Sequence, residues 1–61
     1  MLEEYPDLLS LKQIELILHC KRYTSLRLAN EELDGFKLGG RWIISKQSLI
    51  DYIEERLSER G

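Results

Sequence analysis

The chain has 61 residues, of which 43% are hydrophobic and 33% are charged, and its formal net charge is -2. A chain this short forms one domain with a modest core and has little room for an enzyme cleft, so we expect a single non-enzymatic domain over residues 1–61 with its core in 8–57. Its one cysteine, Cys20, and its one histidine, His19, are too few for a structural zinc site, so we expect no metal and no cofactor.

The charge is distributed unevenly along the chain. Residues 21–46 carry six basic and three acidic side chains, whereas the segments on both sides of them are acidic. Local potential decides where a polyanion docks, so this basic middle is the candidate region for contact with nucleic acid. No apolar run approaches the ~20 residues of a membrane helix, and the N-terminal MLEEYPD is acidic, unlike a secretion signal. We therefore expect a cytoplasmic protein without membrane association.

The first predicted helix follows Ser10, whose hydroxyl suits the position before a helix because it can accept a hydrogen bond from an unpaired backbone N–H. Apolar residues then recur at the three- and four-residue steps of one helix face, at Leu11, Ile14, Ile17 and Leu18. The helix should end near His19 and Cys20. We interpret His19 as a turn residue and Cys20 as a small buried hydrophobic residue.

A second helix is predicted over about Arg22–Glu31, after a connection of about three residues. The face toward the core would hold Ser25, Leu28 and Ala29. Because positions i, i+4 and i+8 stay near one side of a helix, another face would hold Arg22, Tyr23, Arg27 and Asn30. Two helices joined so tightly cross steeply, which is typical of a helix-turn-helix.

Beyond Gly35 the pattern changes to that of β-strands. Residues 36–38 and 41–44 are predicted strands, and Gly39-Gly40 between them favours a tight hairpin turn, which needs positive φ. Trp42 should lie in the core. A third helix is predicted after Ser45, with an apolar stripe of Leu49, Ile50, Ile53 and Leu57. The predicted fold class is mostly α with a small β-hairpin, in the order helix, helix, two-stranded hairpin, helix.

Three segments resemble the excisionase-type helix-turn-helix domain, a small relative of the MerR-regulator DNA-binding domain. LLSLKQIELIL (residues 8–18) resembles its opening helix, KRYTSLRLA (21–29) its recognition helix, and FKLGGRWIISKQSLIDYIEE (36–55) its wing and closing helix. The resemblance covers about four-fifths of the chain. His19-Cys20-Lys21 stands where the family has Gly-Val-Ser, so the recognition helix lacks its capping serine, and the proline before the wing is absent.

The resemblance implies a winged helix-turn-helix domain that binds double-stranded DNA. It favours an excisionase that bends DNA beside an integrase of a phage or mobile element, with a small transcription regulator or a protein-interaction module as alternatives. The residues expected to contact DNA are Lys21, Arg22, Tyr23, Thr24, Arg27, Asn30, Lys37, Gly39, Gly40 and Arg41. Arginine can bind guanine O6 and N7 with two nitrogens, and asparagine can bind adenine similarly. We also expect several copies to bind side by side on DNA in a head-to-tail arrangement.

Overall fold

The computed structural model describes residues 1–59, so Arg60 and Gly61, the end of the predicted domain, lie outside the described residues. The described elements are β1 (Leu8–Leu9), α1 (Leu11–Leu18), α2 (Arg22–Glu31), β2 (Phe36–Leu38), β3 (Arg41–Ser45) and α3 (Lys46–Ser58). They form a mixed α/β fold with three helices and a three-stranded antiparallel sheet. The helices and the hairpin lie where the sequence predicts them, and β1 is an additional strand. Within residues 1–59 no helix has the length and apolar character needed to cross a bilayer.

The sheet has β3 at its centre, in the order β1-β3-β2. β2 pairs with β3 so that Lys37 lies opposite Trp42, and β1 pairs with β3 so that Leu9 lies opposite Ile44. Because alternate residues of a strand share a face, Lys37 and Trp42 lie on the same side of the sheet as the buried Ile44. The hairpin therefore presents Lys37 on the side where the helices pack.

The other side of the sheet exposes several apolar side chains and also Arg41, which the register places opposite Leu38. Register places Phe36 opposite Ile43 and Leu8 opposite Ser45, so these residues share one face, which Leu38 joins two positions along β2. Leu8, Phe36 and Leu38 are each more than half exposed. The described part of the chain thus buries only the inner face of its sheet.

The hairpin turn has the backbone that its two glycines predict. Gly39 and Gly40 have φ values of 60° and 81°, and positive φ at both central residues is what a primed two-residue turn needs. The predicted turn is therefore confirmed.

Replacing Gly39 and Gly40 together with valine is expected to disorder the hairpin while the helices persist. No atom lies within 4 Å of a Cβ added at either position, so the change disturbs backbone conformation and not packing, and β-branched residues resist positive φ. Helical circular dichroism should largely survive, whereas β2 and β3 should lose their strand-like NMR chemical shifts. Gly39→Asn is the control, because asparagine tolerates this conformation. Intact strand shifts in the double valine variant would contradict this role for the turn.

The helix ends follow the predicted caps. At α1 the Ser10 hydroxyl accepts from the backbone N–H of Gln13 at 3.3 Å, and the Gln13 side chain accepts from the backbone N–H of Ser10 at 3.0 Å. At α3 the Ser45 hydroxyl accepts from the backbone N–H of Ser48 at 3.0 Å. His19 follows the last residue of α1 and has a left-handed backbone with φ 56°, and Lys21, just before α2, provides no side-chain cap. The chain thus turns between α1 and α2 through a conformation that glycine would adopt more easily.

The core is built from residues of all three helices, the sheet and the α2–β2 connection. It comprises Leu9, Leu11, Ile14, Leu28, Ala29, Leu33, Ile44 and Leu49. Three sequence predictions need correction. Trp42 and Cys20 are only partly buried, because Trp42 lies at the rim where the hairpin meets α2 and Cys20 lies in the exposed turn. Leu57, near the end of α3, is 54% exposed while Leu49 in the first turns is fully buried, because the core covers the start of the helix and not its end.

The N-terminal segment, residues 1–7, is held against the start of α3 by Lys46. The Lys46 ammonium donates to the backbone carbonyls of Leu2 at 3.3 Å and Tyr5 at 3.0 Å, and the Lys46 backbone N–H donates to the carbonyl of Asp7 at 2.7 Å. Leu2 and Tyr5 are partly buried and pack against the core from outside the predicted core segment. Lys46 therefore stabilises the fold, although it belongs to the basic segment 21–46 that the sequence indicates for contact with nucleic acid.

Gly35 lies where the chain leaving α2 passes close to that helix again. Its backbone N–H donates to the carbonyl of Ala29 at 2.9 Å. A Cβ at this position would lie 2.9 Å from the same carbonyl oxygen and 3.1 Å and 3.2 Å from side-chain atoms of Ile44 and Trp42. The left-handed residue of this turn is the neighbouring Asp34, with φ 53°. Glycine is thus required at position 35 for space and not for its backbone angles.

Candidate nucleic-acid interface

An open groove runs between α2 and the β2–β3 hairpin and continues to the start of α1. Its two parts share Leu26, Lys37 and Trp42 as lining residues. We call it the basic groove and define it by the residues that line it: Ser10, Leu11, Lys12, Arg22, Tyr23, Leu26, Arg27, Asn30, Glu31, Lys37, Gly40, Arg41 and Trp42. It is the place where segments that are distant in sequence meet at the surface.

The basic groove brings together most of the residues that the sequence predicts to contact DNA. Those that line it are Arg22, Tyr23, Arg27, Asn30, Lys37, Gly40 and Arg41. The other three predicted residues lie outside the lining. Lys21 is exposed at the start of α2, Gly39 is exposed at the tip of the hairpin, and Thr24 is half-buried on α2. The structure thus places helix and hairpin candidates around one concave surface.

Lys12 is a groove residue that the sequence does not single out. It lies in the first turn of α1 beside Ser10 and Leu11, and all three line the groove. A helix start carries partial positive charge on backbone N–H groups that have no partner within the helix, so it adds to the potential of the Lys12 ammonium. The capping signal at Ser10 predicts such a helix start, but no spacing in the sequence indicates that this end faces the hairpin.

Five basic side chains line the groove, and they differ in how they are held. Arg22 is ion-paired with Glu15 at 2.5 Å, and Arg27 with Glu31 at 3.7 Å. The other three are Lys12, Lys37 and Arg41, which form no ion pair within residues 1–59. Unbalanced positive charge is therefore concentrated on the hairpin and the start of α1, while the arginines of α2 are each paired with a carboxylate.

Two aromatic residues complete the groove. Trp42 lines both parts of it, packs against the core and lies opposite Lys37 in the register of β2 and β3. Tyr23 is 77% exposed, so its ring and hydroxyl are accessible from solvent. Exposed hydroxyls and cations of this kind contact the sugar-phosphate backbone in protein–DNA complexes.

A second groove, between the end of α2 and α3, has the opposite charge. We call it the acidic groove, and its lining residues are Glu32, Asp34, Ser48, Asp51, Tyr52 and Glu55. Arg56 lies at its edge, 3.9 Å from the carboxylate of Glu32 and with its guanidinium 4.9 Å from the centre of the Tyr52 ring. The net charge of -2 therefore conceals a separation of charge between two surfaces.

Cys20 has no feature of an activated nucleophile. Burial raises the pKa of its thiol, and the negative charge of Glu15 raises that pKa further. A thiol that stays protonated is a poor nucleophile, because the thiolate is the reactive form. Cys20 is half-buried at the turn and not the fully buried residue that the sequence predicts.

The basic groove offers many hydrogen-bond donors and exposes few carboxylates. Such a surface suits a ligand that carries anionic oxygens along its length. A scan against protein-family models finds no match, and searches of curated proteins and of solved structures find no protein similar to this chain. The likeness to excisionase-type domains therefore rests on the three segments quoted above.

Proposed function

We propose that this chain is a winged helix-turn-helix domain that binds double-stranded DNA through the basic groove, with α2 as the recognition helix and the β2–β3 hairpin as the wing. The observation that carries the proposal is that α2, the hairpin and the start of α1 converge on one groove lined by five basic residues. In helix-turn-helix proteins the second helix enters the major groove while neighbouring elements contact the backbone. The order of the elements in this chain supports the same division of roles.

Different residues of the groove suit different parts of the duplex. Arg27 and Asn30 lie on α2, where a side chain reaches base edges if the helix enters the major groove. Lys12, Lys37 and Arg41, which form no ion pair with other residues in 1–59, suit phosphates. The turn at Gly39-Gly40 carries no side chain, so its backbone can approach the duplex closely.

Among DNA-binding proteins, the resemblance favours an excisionase that bends DNA beside an integrase, and a small transcription regulator is the second candidate. The acidic groove bears on how copies would assemble on DNA. It would attract the basic edge of a neighbouring copy, which gives the head-to-tail contact expected from the sequence. Such contacts would support binding to tandem sites.

Selection from a randomised duplex library tests the proposal, followed by titration of the enriched duplex at several salt concentrations. About five phosphate contacts give a plot of log K against log salt with a slope near -4 to -5. Titrations on one and on two tandem copies of the enriched site measure cooperation between protomers. Two results together would contradict DNA binding and favour the protein-interaction alternative: the selection enriches no duplex, and affinity for duplex DNA does not depend on salt concentration.

Arg27→Ala is expected to weaken binding to the enriched duplex by about 1–3 kcal/mol and to relax its sequence preference. The ion pair of Arg27 with Glu31 joins two exposed side chains 3.7 Å apart, so Arg27 can exchange it for a base at little cost. Arg56→Ala, at the acidic groove, is the control and should change affinity little. Equal losses of affinity for enriched and random duplexes would assign Arg27 to the DNA backbone and not to the bases.

A further inference from the structure

The ion pair between Glu15 and Arg22 connects α1 to the first turn of α2. The Nε of Arg22 donates to Oε2 of Glu15 at 2.5 Å. The hydroxyl of Ser25, a fully buried residue, lies 3.5 Å from the same carboxylate oxygen and donates to the backbone carbonyl of Arg22 at 2.9 Å. The Glu15 side chain is only 18% exposed, so it is a well-anchored acceptor for the longer arginine.

The atom of Arg22 that Glu15 binds determines what the arginine can still do. A guanidinium has five N–H donors in a planar fork, and a bond at Nε leaves the edge formed by Nη1 and Nη2 free for two parallel hydrogen bonds. Arg22 lines the basic groove together with Lys37 and Arg41, and it is the first residue of α2. The N-terminal residues of a recognition helix are those that contact base edges.

The two arginines of the groove are held differently. Arg27 and Glu31 are 43% and 55% exposed, and their atoms are 3.7 Å apart, which is typical of a mobile surface pair. The Arg22 side chain is itself 62% exposed, but its partner Glu15 is only 18% exposed and lies at hydrogen-bond distance, so the restraint on Arg22 comes from the partner. A long side chain loses rotamer freedom when it binds, and a side chain that is already restrained loses less.

We propose that Glu15 is a positioning residue that holds Arg22 with its Nη1–Nη2 edge toward the two acceptors of a guanine, O6 and N7. This inference rests on the proposed function, because it requires a duplex in the basic groove. An unrestrained arginine side chain can turn to any nearby phosphate. A restrained one binds well only to acceptors that lie directly opposite its Nη1–Nη2 edge. Glu15 also repels phosphates. It therefore lowers affinity for DNA in general and raises the preference for the enriched sequence.

The test compares affinities for the enriched duplex and for a scrambled duplex of the same composition. Glu15→Gln should lower the ratio of these affinities about tenfold, with binding to scrambled DNA unchanged or tighter. Arg22→Lys should lower the ratio similarly, because lysine cannot make two parallel bonds in one plane. Glu54→Gln is the control for net charge and should leave the ratio unchanged.

A double-mutant cycle separates positioning from a structural effect. In an Arg22→Ala background, Glu15→Gln should have no further effect on the ratio. Equal losses of both affinities in Glu15→Gln, or a loss of selectivity that persists without Arg22, would overturn the inference. If the Glu15→Gln variant does not fold, the Arg22→Lys variant is the test. An unchanged ratio of its affinities for the enriched and scrambled duplexes would then overturn the inference. A wild-type chain that enriches no duplex would instead overturn the proposed function itself.

Discussion

Gly35→Ala is expected to lower the free energy of unfolding by about 3 kcal/mol. The added Cβ would lie 2.9 Å from the carbonyl oxygen of Ala29, and a backbone atom in a packed helix cannot move aside as the end of a side chain can. It would also press on Ile44, which lies in the core, and on Trp42, which lines the basic groove. A chain of this length has a total stability of roughly 3–9 kcal/mol, so the loss would unfold a large fraction of the protein.

Urea unfolding monitored by circular dichroism measures this loss. Gly39→Ala is the matched control, because a Cβ there meets no atom within 4 Å and only the positive φ opposes it. We expect it to cost about 1 kcal/mol. If Gly39→Ala were as destabilising as Gly35→Ala, close packing would not be the reason for glycine at position 35.

Lys37→Gln combined with Arg41→Gln should reduce affinity for duplex DNA about 60-fold near 0.1 M salt. Both residues line the groove from the hairpin, and neither forms an ion pair in the described part of the chain, so each is free to neutralise a phosphate. Removing two phosphate contacts should reduce the slope of log K against log salt by about 1.8. The loss should be the same for enriched and scrambled duplexes, because phosphates carry no sequence information.

Arg56→Gln controls for the loss of positive charge away from the groove. It lies at the edge of the acidic groove, where it pairs with Glu32, and should leave the salt dependence unchanged. A double variant with wild-type salt dependence would show that the hairpin does not contact DNA. The proposed wing would then be a structural element, and the proposed mode of binding would need revision.

Local signals predict most of the elements of this fold from its sequence. Ser10 and Ser45 act within three residues of themselves as helix caps, and Gly39-Gly40 forms its turn without any distant partner. β1 could not be predicted in the same way, because two residues show no alternation and become a strand only by pairing with β3. Leu57 fits the period of α3 but is 54% exposed, because the period does not indicate which turns of the helix other elements cover.

The lining of the basic groove also depends partly on local sequence patterns and partly on how distant elements pack. The period of α2 predicts that Arg27 and Asn30 share a face, and both line the groove. Lys12 joins them only because α1 packs with its start beside the hairpin. The pairing of Glu15 with Arg22 depends on how α1 and α2 cross, which neither helix determines alone. Residues that meet across elements are therefore what the sequence leaves undetermined.

The attachment of the N-terminal segment by Lys46 has a consequence for how this sequence can diverge. The Lys46 ammonium binds main-chain carbonyls of residues 2 and 5, which every amino acid supplies. The side chains of Glu3, Glu4 and Asp7 are exposed; the Asp7 carboxylate lies 3.9 Å from the Lys46 ammonium, and the Glu3 carboxylate pairs with the N-terminal ammonium. Substitutions at these three positions should change the stability of the fold little. Position 46 should tolerate only a long side chain that ends in a hydrogen-bond donor. Related chains, when compared, should therefore differ in the charges near their first residues and agree at the lysine that holds them.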